Sequence, residues 1–243
     1  MENQRLSKIM AKRGICSRRE ADSYIEKGYV FVNGVCIDTL GSKVSPDAKI
    51  TLSDELKEIK KEKVTILLYK PLGYVSCVPE NGYEAAVSLI TNDRQDPRDL
   101  LKKLQKIHFD KLAVAGRLDI NSKGLLVLTQ DGAVAKSLIN KDCNMEKEYF
   151  VRVDTPYDSS QLEELEFGLE LDDQPLKRAR IIPKSDTTFM LILKEGKKRQ
   201  IRRMCELVDL KTVELKRVRI GRIHLADLKV GQWRFLKPDE SFV

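Results

Sequence analysis

The sequence is short of the side chains on which most acid–base and metal chemistry depends. It contains only two histidines, His108 and His224, and they lie far apart in the chain. Neither one has a cysteine or a second histidine at the spacing of a metal site or of a nucleophile–base pair. The sequence therefore predicts no metal site, and we expect neither histidine to be catalytic.

Cysteine is also scarce, and its pattern excludes a disulfide framework. There are five cysteines, an odd number, and no CxxC pair. Disulfide-stabilised and zinc-binding folds both depend on even or closely spaced cysteine sets. We expect these residues to be reduced thiols that mostly fill packing positions: Cys16, Cys36, Cys77, Cys143 and Cys205.

Long apolar runs are missing as well. No stretch approaches the ~18–20 uninterrupted apolar residues that a membrane-spanning helix needs. The first residues, MENQRLSKIMAKRG, have the charged pattern of a helix and lack the apolar centre of a signal peptide. We therefore expect a cytoplasmic protein with no membrane partner.

Positive charge is present in excess and is concentrated. The formal charge is +7, and the segment 194–222 holds 11 Lys or Arg against 4 Asp or Glu, which accounts for the whole excess. A solvated charged face is the ordinary explanation of such a run. Because this one is long and alternates with apolar positions, it favours binding to a phosphate-rich partner.

The first fifty residues predict two helices and a hairpin. RLSKIMAKRG places Leu6, Ile9 and Met10 on one helical face, and SRREADSYIEKG begins with Ser17 followed three residues later by Glu20, the pattern of a capping box. YVFVNGVCI is typical of two strands joined by an Asn-Gly turn. We assign residues 1–52 to a small helix-helix-hairpin domain.

The chain changes character after this unit. Residues 53–63, SDELKEIKKEK, are mostly charged, and we interpret them as a charged, mobile linker. Residues 64–243 contain seven β-branched or aromatic runs with helical patterns between them, at GAVAKSLIN, DSSQLEELEFG and KRQIRRMCELV. This order predicts an α+β domain built on a mixed, mostly antiparallel sheet with flanking helices. The polar and then amphipathic stretch 91–110 predicts an excursion that contains a short helix.

One loop in this domain has the pattern of a reactive site. In GRLDINSKG, Asp119 lies between two runs that predict strands. Asp119, Asn121 and Gly124 match three positions of a calcium-binding loop, but Lys123 stands where an oxygen donor belongs, Gln130 replaces the bidentate glutamate, and the flanks are strands. A turn carboxylate that accepts backbone N–H groups is the plain structural alternative.

Two further segments bear on this loop. MEKEYFVRV brings Tyr149 to the start of a predicted strand, where the ring could lie beside a base or simply pack on a sheet. GKKRQIRRMCE begins a helix on which Ile201 and Met204 face a core or pocket, with Arg199, Arg202 and Arg203 around them. Aspartate, tyrosine and arginine together indicate more than a solvated surface.

Five stretches, taken in order, resemble the catalytic half of the bacterial ribosomal RNA pseudouridine synthases of the RsuA type: LLYKPLGYVS, AGRLDINSKGLLVLTQDG, MEKEYFVRV, GKKRQIRRMCE and LKRVRIGRIHLADLKVGQWR. The segment RLSKIMAKRGICSRREADSYIEKGYVFVNG resembles an S4 RNA-binding domain. ICSRREAD, EKEY and RQIRRMCE are most similar to the enzymes of large-subunit (23S) ribosomal RNA. The excursion at 91–110 is longer than the family pattern leads us to expect.

The resemblance implies a pseudouridine synthase fold and an isomerisation in which the base of a uridine is detached, turned and rejoined to the ribose through carbon 5. It implies no cofactor and no metal. Asp119 would be catalytic, either as a nucleophile or through proton abstraction in a glycal route. Arg202 would be its salt-bridge partner, which would keep the carboxylate ionised.

The other site residues follow from the same resemblance. Ile201 and Tyr149 would pack on the two faces of a flipped uracil, and Arg117 would reach toward the RNA. Lys147, Arg199 and Gln200 would complete the substrate-binding set. The residues expected to bind RNA from the N-terminal domain are basic: Arg5, Lys8, Lys12, Arg13, Arg18 and Arg19.

The resemblance also implies the partner, ribosomal RNA, with transfer RNA as a further candidate substrate and a monomer as the working state. Two other function classes are weighed. A non-catalytic RNA-binding or ribosome-assembly protein would tolerate loss of the aspartate, arginine and tyrosine, yet all three are present. A metal-dependent nuclease would need converging carboxylates or histidines, which the motifs do not supply.

Overall fold

The computed structural model describes residues 2–140 and 144–243; Cys143 lies outside this range. The N-terminal unit combines two short helices with two small sheets. Its elements are β1 (Gln4–Arg5), α1 (Leu6–Lys12), α2 (Arg18–Glu26), β2 (Val30–Val32), β3 (Val35–Ile37), β4 (Lys43–Val44) and β5 (Ile50–Leu52). Strand β2 pairs with both β3 and β5, and β1 pairs with β4.

The capping box and the hairpin turn that the sequence predicts in this unit are both confirmed. The Ser17 hydroxyl accepts a hydrogen bond from the Glu20 amide at 3.3 Å, and the Glu20 carboxylate accepts one from the Ser17 amide at 2.9 Å, which is a complete capping box. The hairpin turns at Asn33 and Gly34, whose φ values are 49° and 86°. Both angles are positive, as a type I′ turn requires.

The segment 53–63, interpreted from its composition as a charged, mobile linker, is helical in the structure. It forms helix α3 (Asp54–Glu62), which begins at Ser53, whose hydroxyl accepts from the Leu56 amide at 3.2 Å. Leu56 is 0% exposed and belongs to the core of the N-terminal unit. The helix is held by this buried leucine, by its cap and by a hydrogen bond from Lys60 to the Ile15 carbonyl at 2.6 Å, although its other residues are charged apart from the exposed Ile59.

The C-terminal unit is built on a sheet of nine strands among the described residues. In spatial order its main path runs β10, β11, β9, β12, β8, β6, β14, with β7 beside β8 and β13 beside β12. The strands are β6 (Thr65–Lys70), β7 (Ala113–Val114), β8 (Lys123–Thr129), β9 (Lys147–Val153), β10 (Arg180–Ser185), β11 (Thr188–Leu193), β12 (Thr212–Ile220), β13 (Ile223–His224) and β14 (Trp233–Phe235). Among the strand pairs that the structure describes in this sheet, only β8–β12 is parallel, which confirms the mixed, mostly antiparallel sheet.

Three helices accompany the sheet: α4 (Gly132–Ile139), α5 (Ser159–Glu166) and α6 (Gln200–Leu207). All three occur where the sequence predicts them. One apolar cluster joins α5 and α6 to β9, β11 and β12, and a second gathers around β6, β8 and Trp233. Tyr149 packs against both clusters, so it lies where the two halves of the core meet.

The excursion at 91–110, which was predicted to contain a short helix, contains two short 3-10 helices, Asn92–Arg94 and Lys106–Phe109. It is fixed to the last strand: the Trp233 indole N–H donates to the Thr91 carbonyl at 2.8 Å, and the Asp96 amide donates to the Trp233 carbonyl at 2.8 Å. The stretch is therefore a docked loop whose polar backbone is satisfied by β14.

The two units touch through helix α4. Lys136 donates to the Ala11 carbonyl at 2.6 Å, and Gly132 lies so close to α2 that a Cβ there would fall 2.6 Å from the Ser17 hydroxyl. In residues 2–140 and 144–243, no helix combines the length and the apolar character that crossing a membrane demands.

Candidate active site

Asp119 lies half-buried in the loop that enters β8. The loop leaves β7 through Gly116, whose φ of 92° is accessible to glycine at little cost. It then turns back at 119–122, where the Ser122 amide donates to the Asp119 carbonyl at 3.0 Å. The chain therefore presents the carboxylate at the end of a central strand, on backbone that is held in a tight turn.

The segment after β6 braces this loop. The buried Ser76 hydroxyl donates to the Leu118 carbonyl at 2.6 Å and accepts from the Leu118 amide at 2.8 Å. The Gly73 amide donates to the Ile120 carbonyl at 3.1 Å. The residues on both sides of Asp119 are thus bonded to the same neighbouring segment, which restricts the direction of the carboxylate.

Lys70 places a buried cation beneath the loop. Its side chain is fully buried, and the ammonium donates to the carbonyls of Ser122 at 2.9 Å and Pro71 at 2.8 Å. Burial lowers the pKa of Lys70 to about 8, the Asp119 charge opposes this shift, and the Arg217 charge adds to it. Lys70 is thus electrostatically coupled to the carboxylate.

Arg202, on α6, is close to Asp119 in electrostatic terms but does not pair with it. Its guanidinium donates to the carbonyls of Asn121 at 2.7 Å and Thr212 at 3.0 Å. Burial and the neighbouring Arg199 lower the pKa of Arg202, while Asp119 acts to raise it. The expected salt bridge is absent among the described ion pairs, and both terminal nitrogens of the guanidinium donate to carbonyls instead.

Two buried polar atoms beside the loop lack a hydrogen-bond partner. The Arg202 Nε and the Ser122 hydroxyl are both inaccessible to solvent, and neither is satisfied within the described part of the chain. A buried polar group without a partner costs about 1–3 kcal/mol. Such groups are tolerated where a bound molecule or a small movement completes them.

The start of α6 carries three predicted site residues in different environments: Arg199, Gln200 and Ile201. Arg199 is exposed and has a left-handed φ of 51°, a strained conformation for a residue with a side chain. Ile201 is 4% exposed and lies in the apolar cluster against which Tyr149 packs. Ile201 and Tyr149 therefore border the same region of the core next to the loop.

Gln200, predicted as a substrate-binding residue, lies inside the protein at the start of α6. It is buried, its amide N–H₂ donates to Glu195 at 2.9 Å, and its carbonyl oxygen accepts from the Lys197 amide at 2.8 Å. Both ends of the side chain are thereby used by protein groups. Gln200 shapes the basic loop before α6 because its hydrogen bonds hold that loop against the helix.

The remaining predicted contacts lie at the rim. Arg117 is exposed, two residues before Asp119. Lys147 is half-buried at the first position of β9, opposite Leu193 and Ile220 in the sheet register. Of the two predicted site residues on the aspartate loop, Arg117 is exposed and Asp119 is half-buried. An approaching molecule can therefore contact the Arg117 side chain directly.

The basic residues of the N-terminal unit are exposed, as predicted for a nucleic-acid surface. Lys8, Lys12 and Arg18 line one concave surface together with Lys136 of α4. Arg13 differs: its guanidinium donates to the carbonyls of Ala48 at 2.7 Å and Pro46 at 2.5 Å, so it stabilises the unit's own fold. Arg5 and Arg19 are exposed at the starts of α1 and α2.

Sequence reasoning did not identify Lys70 or Ser76 as supports of the loop. A signal was present, since LLYKPLGYVS ends an apolar strand with a lysine, and a lysine in such a run must find acceptors when it is buried. In the described ranges, no three His, Cys, Asp or Glu side chains are grouped so that they could hold a metal ion.

Comparison with known proteins identifies two regions of the chain. A family model described as RNA pseudouridylate synthase matches residues 64–207, and an S4 domain model matches residues 4–50. The dual-specificity RNA pseudouridine synthase RluF of Escherichia coli (strain K12) is 33% identical over 238 residues, which cover 97% of this chain and 76% of that protein.

Two further matches extend over nearly the whole chain. The ribosomal large subunit pseudouridine synthase B of Bacillus subtilis (strain 168) is 32% identical over 244 residues, which cover 98% of this chain and 93% of that protein. A crystal structure of a pseudouridylate synthase superposes with a TM-score of 0.64 at 25% identity and covers 96% of both chains.

Proposed function

The chain belongs to the RNA pseudouridylate synthase family, and we propose that it converts a uridine of ribosomal RNA into pseudouridine with Asp119 as its catalytic residue. The overall change breaks the bond between N1 of uracil and C1′ of the ribose and forms a bond between C5 and C1′. The C5 hydrogen is lost as a proton and N1 gains one, so the reaction needs no oxidant and no added group.

The observation that carries this proposal is the state of the groups around Asp119. A half-buried carboxylate lies on a braced turn, two cations are coupled to it, and neither cation forms an ion pair with it. A purely structural carboxylate in such a place would be consumed by hydrogen bonds. Within the described ranges the Asp119 carboxylate makes no side-chain hydrogen bond or ion pair, while Arg202, which interacts with it electrostatically, keeps an unpartnered Nε.

The roles of the neighbouring residues follow from their positions. Asp119 acts as a nucleophile at the sugar or base, or removes a proton in a glycal route. Tyr149 and Ile201 border the apolar region in which a flipped uracil would be held while it turns. Arg117, exposed on the same loop, reaches toward the RNA and fills the space that the base leaves.

Base flipping explains the basic surfaces. Extrusion of a base costs a few kcal/mol of stacking, which contacts elsewhere on the RNA must supply. Phosphate contacts from the S4 unit and from the segment 194–222 provide them. Because folded RNA is recognised mainly by shape and by exposed loop bases, a two-surface clamp suits ribosomal RNA.

We propose large-subunit (23S) ribosomal RNA as the substrate, since one relative is named as a large-subunit synthase. Another relative is named dual-specificity, which keeps transfer RNA as a second candidate substrate. The protein would act as a monomer in the cytoplasm, where these RNAs are found, and without a cofactor. Residues 1–52 form the RNA-binding domain and 64–243 the catalytic domain, with α3 packed on the former.

The test uses RNA labelled with tritium at C5 of uridine, because bond formation at C5 releases that hydrogen to water. We expect wild-type protein to release tritium from large-subunit ribosomal RNA, and Asp119→Asn to bind the RNA and release none. Asp93→Asn, at an exposed aspartate away from the loop, is the matched control and should behave as wild type.

The same variants are then introduced into cells that lack the gene, and pseudouridine is mapped by carbodiimide modification and primer extension. One site should vanish on deletion and return with wild type or Asp93→Asn only. Restoration of that pseudouridine by Asp119→Asn would show that the aspartate is not catalytic. If no site changes in any RNA, the non-catalytic RNA-binding protein becomes the better explanation.

A further inference from the structure

Arg217, in the middle of β12, is a buried cation without an acidic partner. Its side chain is 2% exposed, and none of the ion pairs among the described residues includes it. Its neighbours on β12 behave differently, since Glu214 pairs with Lys123 and Arg219 pairs with Glu148. A guanidinium without a counter-charge is costly to bury, so its hydrogen bonds must have a role that an apolar side chain could not fill.

Those hydrogen bonds all go to backbone carbonyls of one region. The Arg217 Nε donates to Leu125 at 2.8 Å, and its two terminal nitrogens donate to Arg117 and Gly116, each at 3.3 Å. One acceptor is in β8 and two are at the start of the aspartate loop. The guanidinium therefore links the loop to the strand that follows it.

The backbone of Arg217 occupies an equally central place. In the sheet register it lies opposite Gly124 of β8 on one side and Tyr149 of β9 on the other. Arg217 is therefore paired both with the strand that follows the Asp119 loop and with the strand that carries Tyr149. A displacement of Arg217 would change the separation of the two predicted catalytic groups.

With Arg217 included, every backbone carbonyl from Gly116 to Ser122 has a donor. The donors in chain order are Arg217 for Gly116 and Arg117, Ser76 for Leu118, the Ser122 amide for Asp119, the Gly73 amide for Ile120, Arg202 for Asn121 and Lys70 for Ser122. Three of these donors are cations. This complete set of hydrogen bonds holds the loop in one conformation. A reactive side chain that must meet its substrate in a fixed geometry depends on such a loop.

The chemistry favours arginine at this position. Its fork presents five N–H donors in a fixed plane and can span acceptors that are eight or nine positions apart in the sequence. A lysine ammonium is a single point and cannot contact Leu125 and Gly116 in the same way. The arrangement is therefore specific to guanidinium, beyond a need for positive charge.

We propose that Arg217 is a positioning residue for the isomerisation: it fixes the Gly116–Arg117 backbone and thereby the directions of Arg117 and Asp119 toward the flipped uridine. It does not touch the substrate. This inference rests on the proposed catalytic role of Asp119 and adds the residue that orients it.

The test compares Arg217→Lys with Arg234→Lys, a control on β14 whose part-buried guanidinium is bonded to Glu240 and to the Phe235 carbonyl. Single-turnover tritium release, RNA affinity and the unfolding midpoint are measured for both. For Arg217→Lys we expect the single-turnover rate constant to fall by about 10–100-fold, with RNA affinity within about twofold of wild type. Hydrogen exchange of the peptides that cover 116–122 should accelerate in this variant only.

Several outcomes would overturn the inference. These are a rate constant for Arg217→Lys equal to that of Arg234→Lys, a loss of affinity as large as the loss of rate, or unchanged hydrogen exchange in 116–122. Should Arg217→Lys fail to fold, Arg217→Met replaces it, because an apolar side chain of similar length avoids the burial of a mispositioned charge. If Asp119→Asn is active, the proposed function fails; if Asp119→Asn is inactive and the folded Arg217 variant matches its control, only this inference fails.

Discussion

Gly124 and Arg217 meet backbone to backbone at the parallel pair of the sheet, so closely that a Cβ on Gly124 would lie 2.6 Å from the Arg217 amide nitrogen. Real Cβ atoms do not approach a backbone nitrogen to that distance. Gly124 also has a φ of 116°, which L side chains rarely adopt. The exit from the aspartate loop therefore requires glycine for two independent reasons.

The first prediction concerns this contact. Gly124→Ala should lower the free energy of unfolding by about 2–4 kcal/mol, because the methyl group must push β8 away from β12 and the backbone is strained as well. Chemical denaturation measures the change. Gly196→Ala is the control, since nothing lies within 4 Å of a Cβ there. Equal stability of the two variants would contradict the close approach.

A second prediction separates two adjacent arginines of α6. Arg202→Ala should reduce the single-turnover rate constant by about 10²–10³-fold, because a cation that interacts electrostatically with the proposed catalytic Asp119 and the brace on Asn121 are both lost. Arg203→Ala removes an exposed pair with Asp172 and should change the rate little. Similar losses in both variants would mean that general charge near α6 is what matters.

A third prediction follows from the buried ammonium of Lys70. Its pKa is about 8 in the folded protein against 10.5 for an ordinary lysine, so the unfolded chain binds more protons between these values. Stability contributed by this group must therefore rise with pH from about 8 to 10.5, by up to about 1.4 kcal/mol per pH unit.

The measurement is the difference in unfolding free energy between wild type and Lys70→Met across this range. The contributions of titrating groups that both proteins share cancel in this difference. The difference should grow in favour of wild type as the pH rises. Lys229→Met, at an exposed lysine, controls for the loss of one positive charge. A difference that stays flat, or falls, would show that the ammonium is not buried as described.

A fourth prediction concerns acid. Burial acts to raise the pKa of Glu20, but hydrogen bonds from Lys63 and Ser17 outweigh it and lower that pKa to about 2. The stabilisation is therefore complete above about 4.5 and is lost as the pH falls from 4.5 to 2. Acid unfolding of Glu20→Gln should be less steep over this interval than that of wild type. Glu58→Gln, at an exposed pair on α3, should follow wild type.

Short-range structure was predictable from the sequence. The capping box at Ser17 and the Asn33-Gly34 turn depend on residues within a few positions of one another, and both are confirmed. The mixed sheet and the helices between its strands also followed from periodicity and turn residues. The aspartate loop was located correctly, between β7 and β8, on the same basis.

Long-range relationships were not predictable in the same way. The order of α3 depends on one leucine finding the N-terminal core, and a charged composition hides that contact. The direction of the Arg202 fork depends on carbonyls at Asn121 and Thr212, which no motif specifies. Buried cations that bond to carbonyls, as Lys70 does, leave no complementary acidic residue in the sequence to mark them.

The parallel pairing of β8 and β12 also constrains the order in which parts of the protein can fold. Arg217 and the Leu125 carbonyl are 92 positions apart, so the loop cannot be closed until the chain has been synthesised well beyond its middle. Contacts of such separation form late, after local hairpins and helices. During synthesis the N-terminal unit can fold long before the aspartate loop is closed, so we expect a nascent chain that ends before β12 to be inactive.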